Sequence, residues 1–77
     1  MDFSSKLKEL RQQRDISLRK LGEKASISYS ILNSIENGRF QPSKEIVISL
    51  AYALRVENVE ELLVLAGYPT TSSTDSE

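Results

Sequence analysis

Residues 17–38 of this 77-residue chain read SLRKLGEKASISYSILNSIENG and carry its most informative pattern. Ser17 and Ser28 are N-cap residues, and each precedes a short segment with apolar residues at helical spacing, which predicts two capped helices. A tight turn at Ser26 separates them. Two helices that meet at a steep angle need a small residue at their closest approach, and Gly22 is predicted to be that residue. The segment alone is equally consistent with any small helical bundle that has a tight turn.

Outward from this segment, the pattern of caps and apolar spacing predicts five helices and no strands. The first helix runs from about Ser4 to Arg14. The third stops at Asn37-Gly38 and the fifth ends at Gly67, because glycine readily adopts the left-handed conformation that ends a helix. The predicted N-caps are Ser4 or Ser5, Ser17, Ser28, Ser43 and Asn58. The predicted core residues of helices 3 and 4 and of the loop between them are Ile31, Leu32, Ile35, Phe40, Ile46, Val47, Leu50, Ala53 and Leu54.

Composition excludes several classes of function. The chain has no Cys and no His, so it lacks thiolate metal ligands, disulfides and the commonest general base. We therefore predict no catalytic residue, no metal and no cofactor. No apolar run approaches the roughly 20 residues of a membrane span, and the N-terminus has neither a secretion-signal nor a transit-peptide pattern. A soluble cytoplasmic protein is expected.

Charge is distributed unevenly along the chain. Residues 1–44 carry nine basic and five acidic groups, a net charge of +4, whereas residues 45–77 carry one basic and six acidic groups, a net charge of −5. The basic part can meet phosphates while the acidic part faces solvent or a second subunit, but charge alone is equally consistent with two solvated surfaces. Residues 1–68 are expected to form the domain, and 69–77 a disordered polar tail.

Taken together, residues 4–67 resemble the lambda-repressor-like, Cro-type helix-turn-helix domains of the XRE family. The resemblance rests on LKELRQQRDISLRKLGEKASIS, on ILNSIENGRFQPS, and on LAYALRV leading into VEELL. It implies a compact all-α domain of five helices that binds double-stranded DNA with its third helix in the major groove. The chain departs from many members at Leu18, Gly22 and Ser26, where they carry Gln, Ala and Gly. Relative to those members, the first departure would remove a side-chain phosphate contact, and the other two would leave the motif intact but less rigid.

The resemblance also implies which residues contact DNA. Those facing the bases from helix 3 would be Tyr29, Ser30, Asn33 and Ser34. None is an arginine, so polar and thymine-methyl contacts are expected in place of a strong guanine contact. Those holding phosphates would be Ser17, Arg19, Asn37, Arg39 and Lys44. Glu36 would pair with Arg11 in a structural salt bridge and would not face DNA.

Helix 5 is more apolar than a single buried face requires, which indicates a further partner. A homodimer contact is expected on the uncovered part, unless helices 1 and 4 bury the whole helix. The predicted dimer-contact residues are Val59, Leu62, Leu63, Leu65 and Tyr68. The favoured function is a dimeric repressor that reads a palindromic operator. The alternative is a protein-interaction module such as an antitoxin or an anti-repressor partner, and no motif supports a small enzyme.

Overall fold

The computed structural model describes residues 2–68, and within them it contains five helices and no strands. The helices are α1 (Phe3–Gln13), α2 (Leu18–Ala25), α3 (Tyr29–Glu36), α4 (Lys44–Ala53) and α5 (Val59–Leu65). The predicted all-α architecture is confirmed. None of these helices is long and apolar enough to cross a membrane. The polar tail predicted at 69–77 lies outside the described residues.

Four of the five helices start at the predicted polar caps. The side chains of Ser17, Ser28, Ser43 and Asn58 each accept a hydrogen bond from the backbone N–H three residues further on, at 3.0 to 3.3 Å. Each bond satisfies one of the N–H groups that the first turn of a helix leaves without an intrahelical partner. The predicted starts of α2 to α5 are therefore confirmed.

The start of α1 differs from the prediction. Its cap is Asp2, whose carboxylate accepts a hydrogen bond from the Ser5 N–H at 2.9 Å, so the prediction of Ser4 or Ser5 was wrong. The Ser4 hydroxyl instead donates to the Ile35 carbonyl at 2.6 Å and ties α1 to the end of α3. The hydrogen bond from Ser5 lowers the pKa of the exposed Asp2 carboxyl below its usual value of 3.8, because it favours the charged form.

A left-handed residue follows every described helix. These residues are Asp15, Ser26, Gly38, Arg55 and Gly67, with φ between 55° and 95°. The next residue in each case donates its N–H to a carbonyl five positions back, at 2.8 to 3.1 Å, which closes the end of the helix. Glycines were predicted at two of these ends and are confirmed there. The other three positions hold L-residues, for which this conformation costs about 1–2 kcal/mol.

The core is assembled around α4, which packs against α2 and α5, while α3 packs against α1 and α2. Every helix contributes to it, and the most deeply buried large side chains are Leu7, Leu21, Leu32, Ile35, Val47, Leu50, Leu54 and Leu62. Because α3 packs mainly against α1 and α2, only a narrow strip of α3 faces inward. The rest of that helix is left on the surface.

Two residues predicted to be in the core are exposed. Ile31 lies beside the inward strip of α3 and not within it, because a step of one residue turns the helix by about 100°. Phe40 is exposed in the loop after α3. The next residue, Gln41, holds that loop against the end of α5, because its side chain donates to the Ala66 carbonyl at 2.5 Å. Phe40 consequently lies at the surface and does not fill the loop against α4.

Candidate nucleic-acid interface

The angle between α2 and α3 is set by a very close approach at Gly22. A Cβ atom added there would lie 2.7 Å from the Ile27 carbonyl oxygen and 3.4 Å from a methyl carbon of Leu32. Only a residue without a side chain lets the backbone of the turn pass so near α2. The prediction that Gly22 is the point of closest approach is confirmed. Ser26, with φ 60°, reverses the chain immediately before that contact.

The outward side of α3 carries mostly polar side chains. Tyr29, Ser30 and Asn33 are exposed, and Tyr29 retains 50% of its surface. Ser34 is half-buried, and its carbonyl accepts the Arg39 N–H at 2.8 Å. Four side chains predicted to face bases thus lie on one short helix, with differing access to solvent. Every one of them can donate or accept hydrogen bonds.

Ile31 adds an apolar group to the exposed part of α3. Sequence reasoning missed it because it assigned all three aliphatic residues of α3 to the core, whereas the structure buries only Leu32 and Ile35. A branched aliphatic side chain at this position can contact a thymine methyl group. The available signal was the length of α3: two buried residues already fill the inward strip of a helix of eight residues.

Two predicted contact residues, Asn33 and Asn37, are joined to each other. The Asn37 amide nitrogen donates to the Asn33 carbonyl at 2.8 Å and lies 3.3 Å from the Asn33 side-chain oxygen. Asn33 must present both its side-chain oxygen and its nitrogen to read adenine bidentately. The bond from Asn37 uses one of the two lone pairs of that oxygen, so the other remains available to a base. A bidentate contact by Asn33 is therefore compatible with this bond.

The predicted phosphate-binding residues lie at the start of α2 and beyond the end of α3. The Ser17 oxygen accepts the Lys20 N–H at 3.0 Å, so its hydroxyl hydrogen stays available as a donor. Within residues 2–68, the backbone N–H groups of Leu18 and Arg19 have no acceptor, as expected for the first turn of a helix. Free N–H groups and basic side chains together suit an anion. The predicted phosphate-binding residues beyond α3 are all exposed: Asn37, Arg39 and Lys44.

Arg19 and Tyr29 were predicted separately, and the structure brings them together. The guanidinium carbon of Arg19 lies 5.5 Å from the centroid of the Tyr29 ring, within the range of a cation–π contact. Both residues line the groove between α2 and the start of α3. This pairing could not be predicted from the sequence, because it depends on the angle between the two helices.

The structural salt bridge predicted between Arg11 and Glu36 is present. Arg11 Nε donates to one Glu36 carboxylate oxygen at 2.7 Å and Nη2 to the other at 3.2 Å. Arg11 Nη1 also donates to the Ile16 carbonyl at 2.9 Å. Only 4% of the Glu36 side chain is exposed, so its charge is turned away from the outward side of α3. The pair ties the end of α3 to α1.

The structure corrects the predicted dimer contact on α5. Leu62 and Leu63 are 1% and 6% exposed and belong to the core of their own chain, so they are not available to a second subunit. Val59, Leu65 and Tyr68 are half-buried. The Tyr68 hydroxyl donates to the Pro42 carbonyl at 2.6 Å, which gives this side chain a structural role. The exposed apolar side chains of α4 and α5 are Tyr52 and Val64, with 73% and 58% of their surface accessible.

Comparison with known proteins agrees with this geometry. The model of a helix-turn-helix family matches residues 7–62. The transcriptional regulator DdrOP3 of Deinococcus deserti, named as HTH-type, is 35% identical over 75 residues, which are 95% of this chain and 58% of that protein. An uncharacterized HTH-type transcriptional regulator of Mycobacterium tuberculosis is 37% identical over 68 residues, 84% of this chain and 48% of that protein. The chain spans about half the length of these curated relatives.

The matched region contains all of α2, the turn and α3. Gly22 permits the close approach of the two helices, Ser28 caps the second helix, and the outward side of that helix is polar. The five helices pack as expected for a small lambda-repressor-like domain. The chain belongs to the XRE-type helix-turn-helix family.

Proposed function

We propose that this chain is a DNA-binding module of a transcriptional regulator, which reads double-stranded DNA by placing α3 in the major groove. The observation that carries the proposal is the outward side of α3. It presents Tyr29, Ser30 and Asn33 to solvent, directly after a turn that Gly22 holds close to α2. The N-terminal residues of the second helix of such a motif contact base edges. The names of the related regulators support the same function.

Phosphate contacts would fix the position of α3 in the groove. Ser17 and the free N–H groups at the start of α2 would hold the DNA backbone on one side of α3. Arg39 and Lys44 would hold it on the other side. Such contacts position the protein and carry no sequence information. The acidic charge of Glu36 does not oppose them, since Arg11 neutralises it within the domain.

The salt dependence of binding tests this arrangement. We expect the protein to bind random duplex DNA with an affinity that falls steeply with salt, and Arg39→Ala to lower the log–log slope by about one, because one phosphate contact is lost. The matched control is Arg55→Asn, which removes one exposed positive charge beyond α4 and retains a residue that tolerates positive φ. Equal slopes for Arg39→Ala and the parent would remove Arg39 from the interface. No binding of any duplex would overturn the proposed function.

The regulator would act as a homodimer on a palindromic operator, most simply as a repressor that covers a promoter. One short helix supplies few base contacts, and linking two modules raises the effective concentration of the second. The surface proposed for the second copy is the outward side of α5. Val64 would lie at its centre, with the half-buried Val59 and Leu65 on the same helix.

Val64→Lys tests the subunit contact without disturbing the core. A charge at this exposed position should leave the melting temperature unchanged and the half-site preference intact, while the selected DNA site loses its two-fold symmetry. Tyr52→Lys is the matched variant, because it places the same charge on the exposed apolar residue of α4. Loss of symmetry with Tyr52→Lys alone would move the contact to α4. A palindrome selected by both variants would contradict dimerisation through either helix.

The protein-interaction module is the second candidate, and the exposed Val64 and Tyr52 favour it. Both are apolar, and α5 also exposes the acidic Glu60 and Glu61. An antitoxin or anti-repressor partner would use this surface in place of α3. Under this function, Val64→Lys would abolish partner capture, and Tyr29→Ala would change nothing.

A further inference from the structure

The Arg19 side chain lies over Tyr29 and makes no ion pair within residues 2–68. Its guanidinium carbon is 5.5 Å from the ring centroid, whereas the nearby Glu23 carboxylate lies 3.8 Å from Lys20 Nζ. Arg19 thus differs from Lys20, its neighbour on α2. Both side chains are cationic and exposed, but only Arg19 contacts the helix that is proposed to read DNA.

Tyr29 is the first residue of α3, and half of its surface is exposed, so its ring is open to solvent on one side. A half-covered aromatic side chain at the end of a helix can adopt more than one rotamer. The Arg19 guanidinium favours the one in which the ring lies beneath it. A guanidinium can stack on a ring with its face and still donate hydrogen bonds from its edge, because its donors lie in one plane.

We propose that Arg19 is a positioning residue for base recognition: it holds the Tyr29 ring in the orientation that reads a base, while the edge of its guanidinium binds a phosphate. This inference rests on the proposed function and deepens it. A phosphate contact alone would add affinity for every sequence equally. Through Tyr29, Arg19 also influences which DNA sequence is preferred. One side chain would thus both hold the DNA backbone and orient the residue that reads a base.

The test separates these two effects with a cycle of variants. Arg19→Ala, Tyr29→Ala and the double variant are each mixed with a pool of randomised duplexes, and the bound duplexes are sequenced. Lys20→Ala is the matched control, since it removes the same charge from the same helix without touching Tyr29. The affinity of each variant for random duplex is measured over a range of salt concentrations.

The proposal predicts that Arg19→Ala weakens the base preference at the position read by Tyr29 by about two- to fivefold, the factor that an exposed cation–π contact supplies. In the Tyr29→Ala background, Arg19→Ala should lower the salt slope and leave the remaining base preference unchanged. Lys20→Ala should alter no base preference. If Arg19→Ala lowers affinity for all sequences alike and the parent's base preference persists, Arg19 is a phosphate contact only and the proposal is overturned.

A second measurement uses the free protein and does not depend on DNA binding. The Arg19 side-chain protons should be shifted upfield by the Tyr29 ring current and should move downfield in Tyr29→Ala. The matched Tyr52→Ala variant should leave them in place. If Tyr29→Ala leaves these protons unmoved, the ring is not held and the proposal fails. If the protons move but the parent protein shows no base preference, the contact between Arg19 and Tyr29 is present and it is the proposed function that fails.

Discussion

α3 and α5 are built alike and present different surfaces. They have eight and seven residues, each starts at a polar cap, and each is followed by a glycine in the left-handed conformation. Each also buries two large aliphatic side chains. Outward, α3 exposes Tyr29, Ser30 and Asn33 together with the apolar Ile31, whereas α5 exposes two glutamates and Val64. The inward residues make both helices part of one core, so the different roles proposed for them rest on the outward residues.

The largest effect is expected when the same lysine substitution is made on the inward side and on the outward side of α5. Leu63→Lys places a charge in the core, and because a domain of this size is stable by only about 3–5 kcal/mol, we expect the variant to be unfolded at 25 °C. Val64→Lys puts the same residue one position further on, at the surface, and should change stability by less than about 0.5 kcal/mol. Thermal melts followed by circular dichroism compare them. Equal stability of the two variants would contradict the assignment of the inward side of α5.

The second effect concerns the charge that α3 turns inward. Glu36→Ala leaves Arg11 without its carboxylate in a partly buried site, which should cost about 3 kcal/mol and leave the variant only marginally folded. The matched control is Glu9→Ala, because Glu9 pairs with Lys6 at 3.6 Å in a partly exposed ion pair of α1, which contributes below about 1 kcal/mol. Urea denaturation measures both. A Glu36→Ala variant as stable as Glu9→Ala would reopen a role for Glu36 in binding.

Features set by local chemistry could be predicted from the sequence, and those set by the angles between helices could not. The caps at Ser17 and Ser28 follow from nearby residues alone, as does the glycine that follows α3. Exposure of Ile31 depends on how narrowly α1 and α2 cover α3. Burial of Leu63 depends on the packing of α5 against α4.

The candidate site divides in the same way. The separate roles of Arg19 and Tyr29 were implied by the family resemblance, and their contact appears only once α2 and α3 are placed together. The Arg11 and Glu36 pair was also implied by the resemblance, since the two residues lie far apart in the sequence. The bond between Asn33 and Asn37 spans one helical turn. That spacing was a usable signal for the bond, and it was overlooked.

A smaller, stabilising effect is expected at the turn before α3. Ser26→Gly removes the cost of a left-handed L-residue and should raise the free energy of unfolding by up to about 1 kcal/mol. Ser49→Gly, within α4, should lower it by about 0.5 kcal/mol, since glycine is a poor helix former. The opposite signs are checked by denaturant titration. A destabilising Ser26→Gly would show that the serine side chain contributes more than its backbone costs.

The smallest effect is a dependence on pH at the start of α1. Because the hydrogen bond from Ser5 lowers the pKa of Asp2 in the folded protein, the charged cap stabilises above the usual pKa of 3.8. That contribution is lost as the pH falls through the lower, folded-state pKa. Asp2→Ala should therefore be slightly less stable than the parent at pH 7 and nearly equal to it in strong acid. Asp2→Asn keeps an uncharged cap, so its own cap contribution should not change with pH.

Selection from a pool of randomised duplexes distinguishes α3 from α5 as the helix that reads DNA. The parent should select an imperfect palindrome with half-sites about one helical turn apart. Tyr29→Ala and Ser30→Ala should each change the selected bases at one position and its symmetry mate, at about 1–3 kcal/mol of discrimination, with random-duplex affinity nearly constant. Val64→Lys should keep the half-site bases. If Tyr29→Ala and Ser30→Ala select the parent's sequence unchanged, α3 does not read the bases and the account is wrong.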